Sequence, residues 1–85
     1  MASREKRLEK MAANPKADWT IGDVQAQCEA WDVSFRRGGG AHCTVSHPTR
    51  PEILTIPANR PIKPVYIRRL VEFVGRVSEG TRNGD

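Results

Sequence analysis

Val33–His47 has the sequence VSFRRGGGAHCTVSH, in which two short alternating segments flank three glycines. Apolar and polar residues alternate in Val33–Arg37 and again in Ala41–His47, the period of a β-strand with one buried face. Glycine permits a tight reversal between them, so the stretch predicts an antiparallel β-hairpin. The alternation divides the second strand into an apolar face and a polar face, and the polar face carries His42, Thr44 and Ser46.

The segment before the hairpin has the pattern of an amphipathic helix. Thr20, followed three residues later by Asp23, resembles a capping box, which marks a helix N-terminus. The apolar residues after it recur at helical spacing and form a stripe of Ile21, Val24, Cys28 and Trp31. The intervening polar residues are expected to face water, and these are Gln25, Gln27 and Glu29.

A third strand and a second helix follow the hairpin. Two prolines place Pro48–Pro51 in a loop, because proline has no N–H for pairing inside a sheet. Ile53–Pro57 is the predicted third strand. Pro64 suits the first turn of a helix, where the missing N–H is not needed, and Gly75 suits its end. The apolar stripe between them is Ile67, Leu70, Val71 and Val74.

The order of elements predicts an α+β fold, α-β-β-β-α, with a three-stranded antiparallel sheet and both helices on one face. The other face of the sheet is then open, and it carries Ser34, Arg36, His42, Thr44 and Ser46. We predict one domain over residues 18–76, an N-terminal extension over residues 1–17 and a flexible tail over residues 77–85. A short charged helix at Glu5–Met11 is expected to be frayed or dependent on a partner, because it has few apolar residues.

Positive charge is concentrated in the second half of the chain. The formal net charge is +4, and residues 33–76 carry eight Lys or Arg against two Glu, a balance of +6. Residues 1–32 carry five basic against six acidic residues, and residues 77–85 carry one against two. This distribution is typical of a face that binds a polyanion. A solvated surface that only aids solubility is the alternative.

Cysteine usage and hydropathy indicate a soluble cytoplasmic protein. Cys28 and Cys43 form no CxxC pair, and buried free thiols are expected, with a disulfide as the alternative. A zinc site combining them with His42 and His47 would have a spacing that fits no zinc pattern, so we predict no metal and no cofactor. No apolar run approaches the ~18–20 residues of a membrane span, and we expect no membrane partner.

The polar face of the hairpin has residues that suit RNA cleavage without a metal. The 2′-OH of RNA is itself the nucleophile, so a protein need only move protons and stabilise the charged phosphorane. Histidine transfers protons near neutral pH, and His42 is the candidate catalytic residue. Phosphate is expected to bind arginines, glycine N–H groups and cations near the second helix, namely Arg36, Arg37, Gly39, Gly40, Lys63 and Arg68.

Three further side chains receive structural interpretations. His47 lies at the end of its strand before Pro48, and by parity it points away from His42, so we interpret it as structural or as a phosphate contact. Trp19 and Trp31 are able to stack on bases, but their positions before and on the apolar helix stripe favour anchoring of the core.

Several short motifs together resemble the HicA family of bacterial toxins. They are Gly40-Ala41-His42 at the start of a strand, Ser46-His47-Pro48, Leu54-Thr55-Ile56-Pro57, and Ile62-Lys63-Pro64 before Ile67-Arg68-Arg69-Leu70. The resemblance covers Trp19 to Gly75 and implies a fold like that of double-stranded-RNA-binding domains. It also implies metal-independent cleavage of mRNA, with His42 as the catalytic residue, and neutralisation by a HicB-type antitoxin that covers the active site.

The chain departs from the family at Ala41, where the family usually has serine. A hydrogen bond from that hydroxyl is therefore absent, which bears on the efficiency of cleavage more than on the fold. The extension over residues 1–17 is also not part of the usual compact toxin. A non-catalytic RNA-binding module that uses the same basic face is the alternative function, and a domain that binds a partner protein through its arginines is a third.

Overall fold

Over the residues that it describes, 4–38, 42–58 and 61–83, the computed structural model contains three helices and one three-stranded antiparallel sheet. Side chains are described as far as Ser78. In chain order the elements are α1 (Arg4–Ala13), α2 (Ile21–Ala30), β1 (Ser34–Arg37), β2 (His42–His47), β3 (Arg50–Pro57) and α3 (Pro64–Asn83). The predicted α+β class and the α-β-β-β-α order are confirmed, with one further helix before them. Within the described residues, no helix is both long enough and apolar enough to cross a membrane.

The core lies between one face of the sheet and the helices. Val45 from β2 and Ile56 from β3 are fully buried there, and each such burial stabilises the fold by about 1.5–3 kcal/mol. The helix α3 supplies the largest share of the opposing surface, with Ile67, Leu70, Phe73, Val74 and Val77. The sheet strands are paired in the order β1-β2-β3, so β2 is central and both its neighbours are edge strands.

Hydrogen bonds at both ends of α2 set its length and direction. The Asp23 N–H donates to the Thr20 hydroxyl at 3.2 Å, and the Thr20 N–H donates to the Asp23 carboxylate at 2.9 Å, so the predicted capping box is present. At the other end the Val33 N–H donates to the Cys28 carbonyl at 2.8 Å, while Asp32 adopts a left-handed conformation with φ 56°. This Schellman-type ending reverses the chain from α2 directly into β1.

Gln27 on α2 is buried, at 4% exposed, although the sequence predicted that it faces water. Its Oε1 accepts a hydrogen bond from the Trp31 Nε1–H at 3.2 Å. A buried amide is tolerated when it has such a partner, and helical periodicity alone does not reveal the partner. Gln25 and Glu29 are exposed, as predicted.

The helix α1 is part of the core, which differs from the expectation of a frayed or partner-dependent segment. Met11 is 1% exposed, and Leu8 packs against the same core cluster. The Arg4 guanidinium lies 4.4 Å from the centroid of the Trp31 ring and donates to the Ala30 carbonyl at 3.0 Å. Both of these contacts lie at the C-terminal end of α2, where a cation is favoured by the helix dipole.

The helix α3 continues past Gly75 to Asn83, whereas the sequence predicted its end at Gly75 and a tail from residue 77. Val77 extends the apolar stripe and is 2% exposed. A Cβ added at Gly75 would meet no atom within 4 Å, so nothing in its surroundings requires a glycine. The burial of Val77 outweighs the ~1 kcal/mol that glycine costs inside a helix.

The strand β3 begins at Arg50 and includes Pro51, which the sequence predicted to lie in a loop. The turn between β2 and β3 is therefore only Pro48 and Thr49, and His47 pairs with Arg50 across it. Because β3 is an edge strand, one side of its backbone has no partner, and a proline is tolerated there.

The two cysteines are free and buried, as predicted. Cys28 packs in the core cluster from α2, and Cys43 is buried on the core side of β2. Burial, with a smaller contribution from the neighbouring Glu29, raises the pKa of the Cys28 thiol to about 12. Since the thiolate is the reactive form, Cys28 is chemically inert near neutral pH.

Met11→Ala is expected to lower the free energy of unfolding by about 2–5 kcal/mol, because it leaves a cavity beneath α1. Urea unfolding followed by circular dichroism measures this change. Glu9→Ala, on the exposed side of the same helix, is the matched control and should stay within about 0.5 kcal/mol of the parent protein. Equal unfolding midpoints for the two variants would contradict the packing of α1.

Gly75→Ala is expected to raise the free energy of unfolding by about 0.5–1 kcal/mol, because the residue lies inside a helix with open space beside it. Thermal unfolding provides the measurement. At a helix end with a left-handed glycine, the same substitution lowers stability. A decrease would therefore show that α3 ends at Gly75.

Candidate nucleic-acid interface

The open face of the sheet is the side that points away from the core. The strand register aligns Ser34 with Ser46, Arg36 with Thr44, and Thr44 with Thr55. Side chains alternate along each strand, so these residues share one surface. The described side chains that the register places on the open face are Ser34, Arg36, His42, Thr44, Ser46, Thr55 and Pro57.

His42 lies at the first position of β2, and its backbone is held from two sides. The Gly38 N–H donates to its carbonyl at 3.0 Å, which closes the hairpin, and His42 is aligned with Pro57 on β3. The imidazole is exposed and forms no hydrogen bond with a described residue. The sheet therefore presents His42 in a defined place with both ring nitrogens available to a ligand.

Arg36 is the cation of the open face nearest to His42 in the strand register. It is aligned with Thr44, which is two residues from His42 on the same face of β2. Diagonal neighbours of this kind have Cα atoms about 7–8 Å apart, within reach of a long guanidinium side chain. Arg36 is exposed and has no ion pair with a described side chain, so its charge is available.

Arg37 has the opposite parity to Arg36. It is aligned with Cys43, whose side chain is buried on the core side of the sheet. Arg37 is nevertheless exposed, because β1 is an edge strand and the long side chain reaches solvent past the sheet. Of the two adjacent arginines, the structure thus brings only Arg36 onto the face that carries His42.

His47 is engaged in the turn between β2 and β3. Its Nδ1 accepts a hydrogen bond from the Thr49 N–H at 3.2 Å and lies 2.7 Å from the Thr49 hydroxyl oxygen. An Nδ1 that accepts from a backbone N–H carries no proton of its own, which assigns the neutral ring its proton at Nε2. This geometry agrees with the structural interpretation of His47.

The other predicted phosphate-binding residues lie away from the open face or outside the description. Lys63 caps α3, where its carbonyl accepts from the Tyr66 N–H at 3.0 Å, and its side chain is exposed. Arg68 is exposed on α3, in the helical layer on the other side of the sheet. Gly39 and Gly40 lie outside the described residues.

The open face has positive charge and no described carboxylate. The nearest acidic side chain along the sheet is Glu52. In the alternation of β3 it belongs with Leu54 and Ile56, on the side of the core, and it forms an ion pair with Arg50 at 2.6 Å. The hydrogen bond from Arg50 is the main cause that lowers the pKa of Glu52, and Arg76 of α3 adds a smaller effect. The carboxylate therefore stays charged but is directed away from His42.

Hydroxyl groups line the open face, whereas the aromatic rings are elsewhere. Four of its residues carry a hydroxyl, namely Ser34, Thr44, Ser46 and Thr55. The aromatic side chains of the described residues pack against or within the core, and these are Trp19, Trp31, Phe35, Tyr66 and Phe73. This confirms the two tryptophans as core anchors. The face is suited to hydrogen bonding with ribose and phosphate rather than to stacking on bases.

Thr55 also lies on this face, which the sequence did not predict. The signal was present in β3, because Thr55 lies between Leu54 and Ile56, which pack on the core side. Ile53 is 66% exposed, the most exposed large apolar side chain among the described residues. Ile53 lies at the irregular part of the pairing between β2 and β3 and lines a groove with Arg69 and Phe73 of α3.

Potential metal ligands are dispersed within the described part of the chain. No group of three or more His, Cys, Asp or Glu side chains is positioned there to hold a metal ion. Cys28 and Cys43 are buried on the core side, while His42 points from the open face. The four residues considered as zinc ligands are therefore divided between two sides of the sheet.

The chain matches no family model, no curated protein and no solved structure. The resemblance of its motifs to the HicA family accordingly remains a prediction from the sequence.

Proposed function

We propose that the protein is a metal-independent endoribonuclease that cleaves mRNA in the cytoplasm, and that it is the toxin of a HicA/HicB-type toxin–antitoxin pair. The observation that carries the proposal is the exposed His42 beside Arg36 on a face without a described carboxylate. A polyanion meets no repulsion there, and an imidazole is available for proton transfer.

In the proposed reaction, His42 accepts the proton of a ribose 2′-OH. The 2′-oxygen attacks the adjacent phosphorus, and the bond from phosphorus to the 5′-oxygen breaks. The imidazolium returns its proton to the leaving 5′-oxygen, so the products are a 2′,3′-cyclic phosphate and a 5′-hydroxyl. The Arg36 guanidinium stabilises the negative charge that develops on the non-bridging phosphate oxygens.

The proposal includes a fold like that of double-stranded-RNA-binding domains. The α-β-β-β-α order of α2 to α3 and the three-stranded sheet with helices on one side support it. The helix α1 is an addition to that arrangement, and it packs through Met11 on the helical side. It therefore leaves the open face accessible to RNA.

The proposed protein partner is a HicB-type antitoxin that covers the open face. Ile53 supports this, because an apolar side chain with 66% exposure on the edge strand β3 is typical of an interface anchor. An antitoxin bound there would bury Ile53 and occupy His42 and Arg36 together. The same contact would exclude RNA.

A non-catalytic RNA-binding module is the second candidate, and one specific observation favours it. The His42 imidazole has no described hydrogen-bond partner to orient it, whereas catalytic histidines are commonly held by a carboxylate or carbonyl. A module of this kind binds RNA with strong salt dependence and leaves it intact. Cleavage of RNA in the presence of EDTA separates the two candidates.

His42→Ala is expected to reduce RNA cleavage by about 10²–10⁴-fold, because it removes the proton-transferring group. The measurement is the loss of intact mRNA in EDTA, followed by gel electrophoresis. His47→Ala is the matched control, since it removes an imidazole engaged in the turn, and it should retain cleavage within a few-fold. If His42→Ala cuts RNA at the parent rate, the assignment of His42 is wrong.

Arg36→Gln is expected to lower kcat/KM for RNA cleavage by about 10- to 100-fold, the equivalent of one charge-assisted hydrogen bond of ~1.5–3 kcal/mol. Arg37→Gln removes the same charge from the adjacent residue, which belongs to the other side of the sheet. We expect it to lower kcat/KM by less than about threefold. Initial rates for the two purified variants provide the comparison. Equal losses would indicate that only net charge matters and that Arg36 makes no specific contact.

A further inference from the structure

Two cations from distant parts of the chain line one depression on the helical side of the molecule. Lys16 lies in the connection between α1 and α2, and Arg68 lies on α3. Together with the backbone and small side chains of residues 13–17 they form the walls of this depression. Both cations are exposed. The depression lies in the helical layer, whereas His42 points from the opposite side of the sheet.

The connection that carries Lys16 is held by hydrogen bonds. The Asn14 N–H donates to the Lys10 carbonyl at 3.0 Å, and the Ala17 N–H donates to the Asn14 carbonyl at 3.1 Å. The Trp19 Nε1–H donates to the same Asn14 carbonyl at 2.7 Å and ties the turn to a half-buried ring. The wall of the depression beside Lys16 is therefore a defined turn.

No carboxylate lines this depression, and neither cation is paired. The remaining lining residues are uncharged, namely Ala13, Asn14, Pro15 and Ala17. Lys16 and Arg68 have no ion pair with a described side chain. The groove on the other flank of α3 differs, because there Arg69 and Arg76 are accompanied by Glu52 and Glu72. Of these two grooves beside α3, the one next to the α1–α2 connection therefore has positive charge without a carboxylate in its lining.

We propose that Lys16 and Arg68 form a second phosphate-binding site, an exosite that holds the RNA backbone on the side of the molecule opposite His42. Arginine and lysine are the side chains that bind phosphate oxygens, and two of them without a carboxylate favour a dianionic stretch of backbone. The depression has no large apolar side chain in its lining, which a protein partner would need as an anchor. The identification of the phosphate as RNA rests on the proposed function.

With the exosite, the affinity of the protein for RNA depends on the length of the RNA. The molecule measures 38 × 29 × 21 Å, and the two surfaces lie on its two layers. A dinucleotide on the open face cannot reach Lys16 and Arg68, whereas a long single strand can pass around the molecule to them. The exosite therefore lowers the Kd and the KM of long RNA and leaves the cleavage of a dinucleotide unchanged.

The double variant Lys16→Gln with Arg68→Gln tests the proposal against the control pair Arg69→Gln with Arg76→Gln. Each pair removes two positive charges from exposed positions, but the control charges lie beside carboxylates. The probe is a long unstructured oligouridylate in EDTA, and binding is measured by fluorescence anisotropy over a range of salt concentrations. In the binding measurement, both double variants also carry His42→Ala, so that the RNA stays intact.

We expect the exosite variant to bind the long RNA about tenfold more weakly and its salt slope to fall by about 1.4, since each lost contact with single-stranded phosphate contributes roughly 0.7. The control pair should change the affinity by about twofold. Equal weakening in both pairs, or parent affinity in the exosite variant, overturns the proposal. In the active background the exosite variant should raise KM for long RNA without changing dinucleotide cleavage, and a change in dinucleotide cleavage also overturns it.

Failure of the proposed function has a different signature. A protein that cuts no RNA but loses affinity in the exosite variant has the exosite without the nuclease activity. A protein that cuts RNA but shows no difference between the two pairs is a nuclease without the exosite. Unchanged far-ultraviolet circular dichroism in both pairs verifies that the substitutions leave the fold intact.

Discussion

The register of β2 between its two neighbours is the constraint on which both the core and the open face depend. The hydrogen bond from the Gly38 N–H to the His42 carbonyl closes the first hairpin, and the alignment of Val45 with Leu54 sets the second. Because side chains alternate with a period of two, a slip of one residue would bury His42 and expose Val45. The burial of Val45 and Ile56 in the core thus keeps His42 at the surface.

The two layers of the molecule have different surfaces, and we assign them different roles. The open face of the sheet has an imidazole, one guanidinium and a row of hydroxyls, a composition suited to chemistry on a sugar–phosphate backbone. The helical layer carries most of the remaining positive charge, partly beside carboxylates and partly without them at Lys16 and Arg68. Under the proposed function, the open face supplies the reaction and the proposed exosite of the helical layer contributes affinity for longer RNA.

Much of the fold could be predicted because its signals are local. The alternation on both sides of the glycines predicted the hairpin, and Thr20 with Asp23 predicted the start of α2. The incorrect predictions involve residues whose environment depends on the particular side chains that pack around them. Gln27 is buried because Trp31 supplies a donor, and Gly75 stays helical because Val77 packs into the core beyond it. A periodicity pattern depends only on the type of each residue and contains no information about the side chains that contact it.

Amino-acid order alone was sufficient to place His42 and Arg36 on one face, because strand alternation is a property of neighbouring residues. It was also sufficient for the sequence of strands and helices. Only the tertiary structure showed that α1 closes the core through Met11 and that Arg68 lies beside Lys16 instead of His42. Such placements depend on how the helices pack across the sheet. Packing between segments that are far apart in the chain produces no periodic pattern in the sequence, so it could not be predicted.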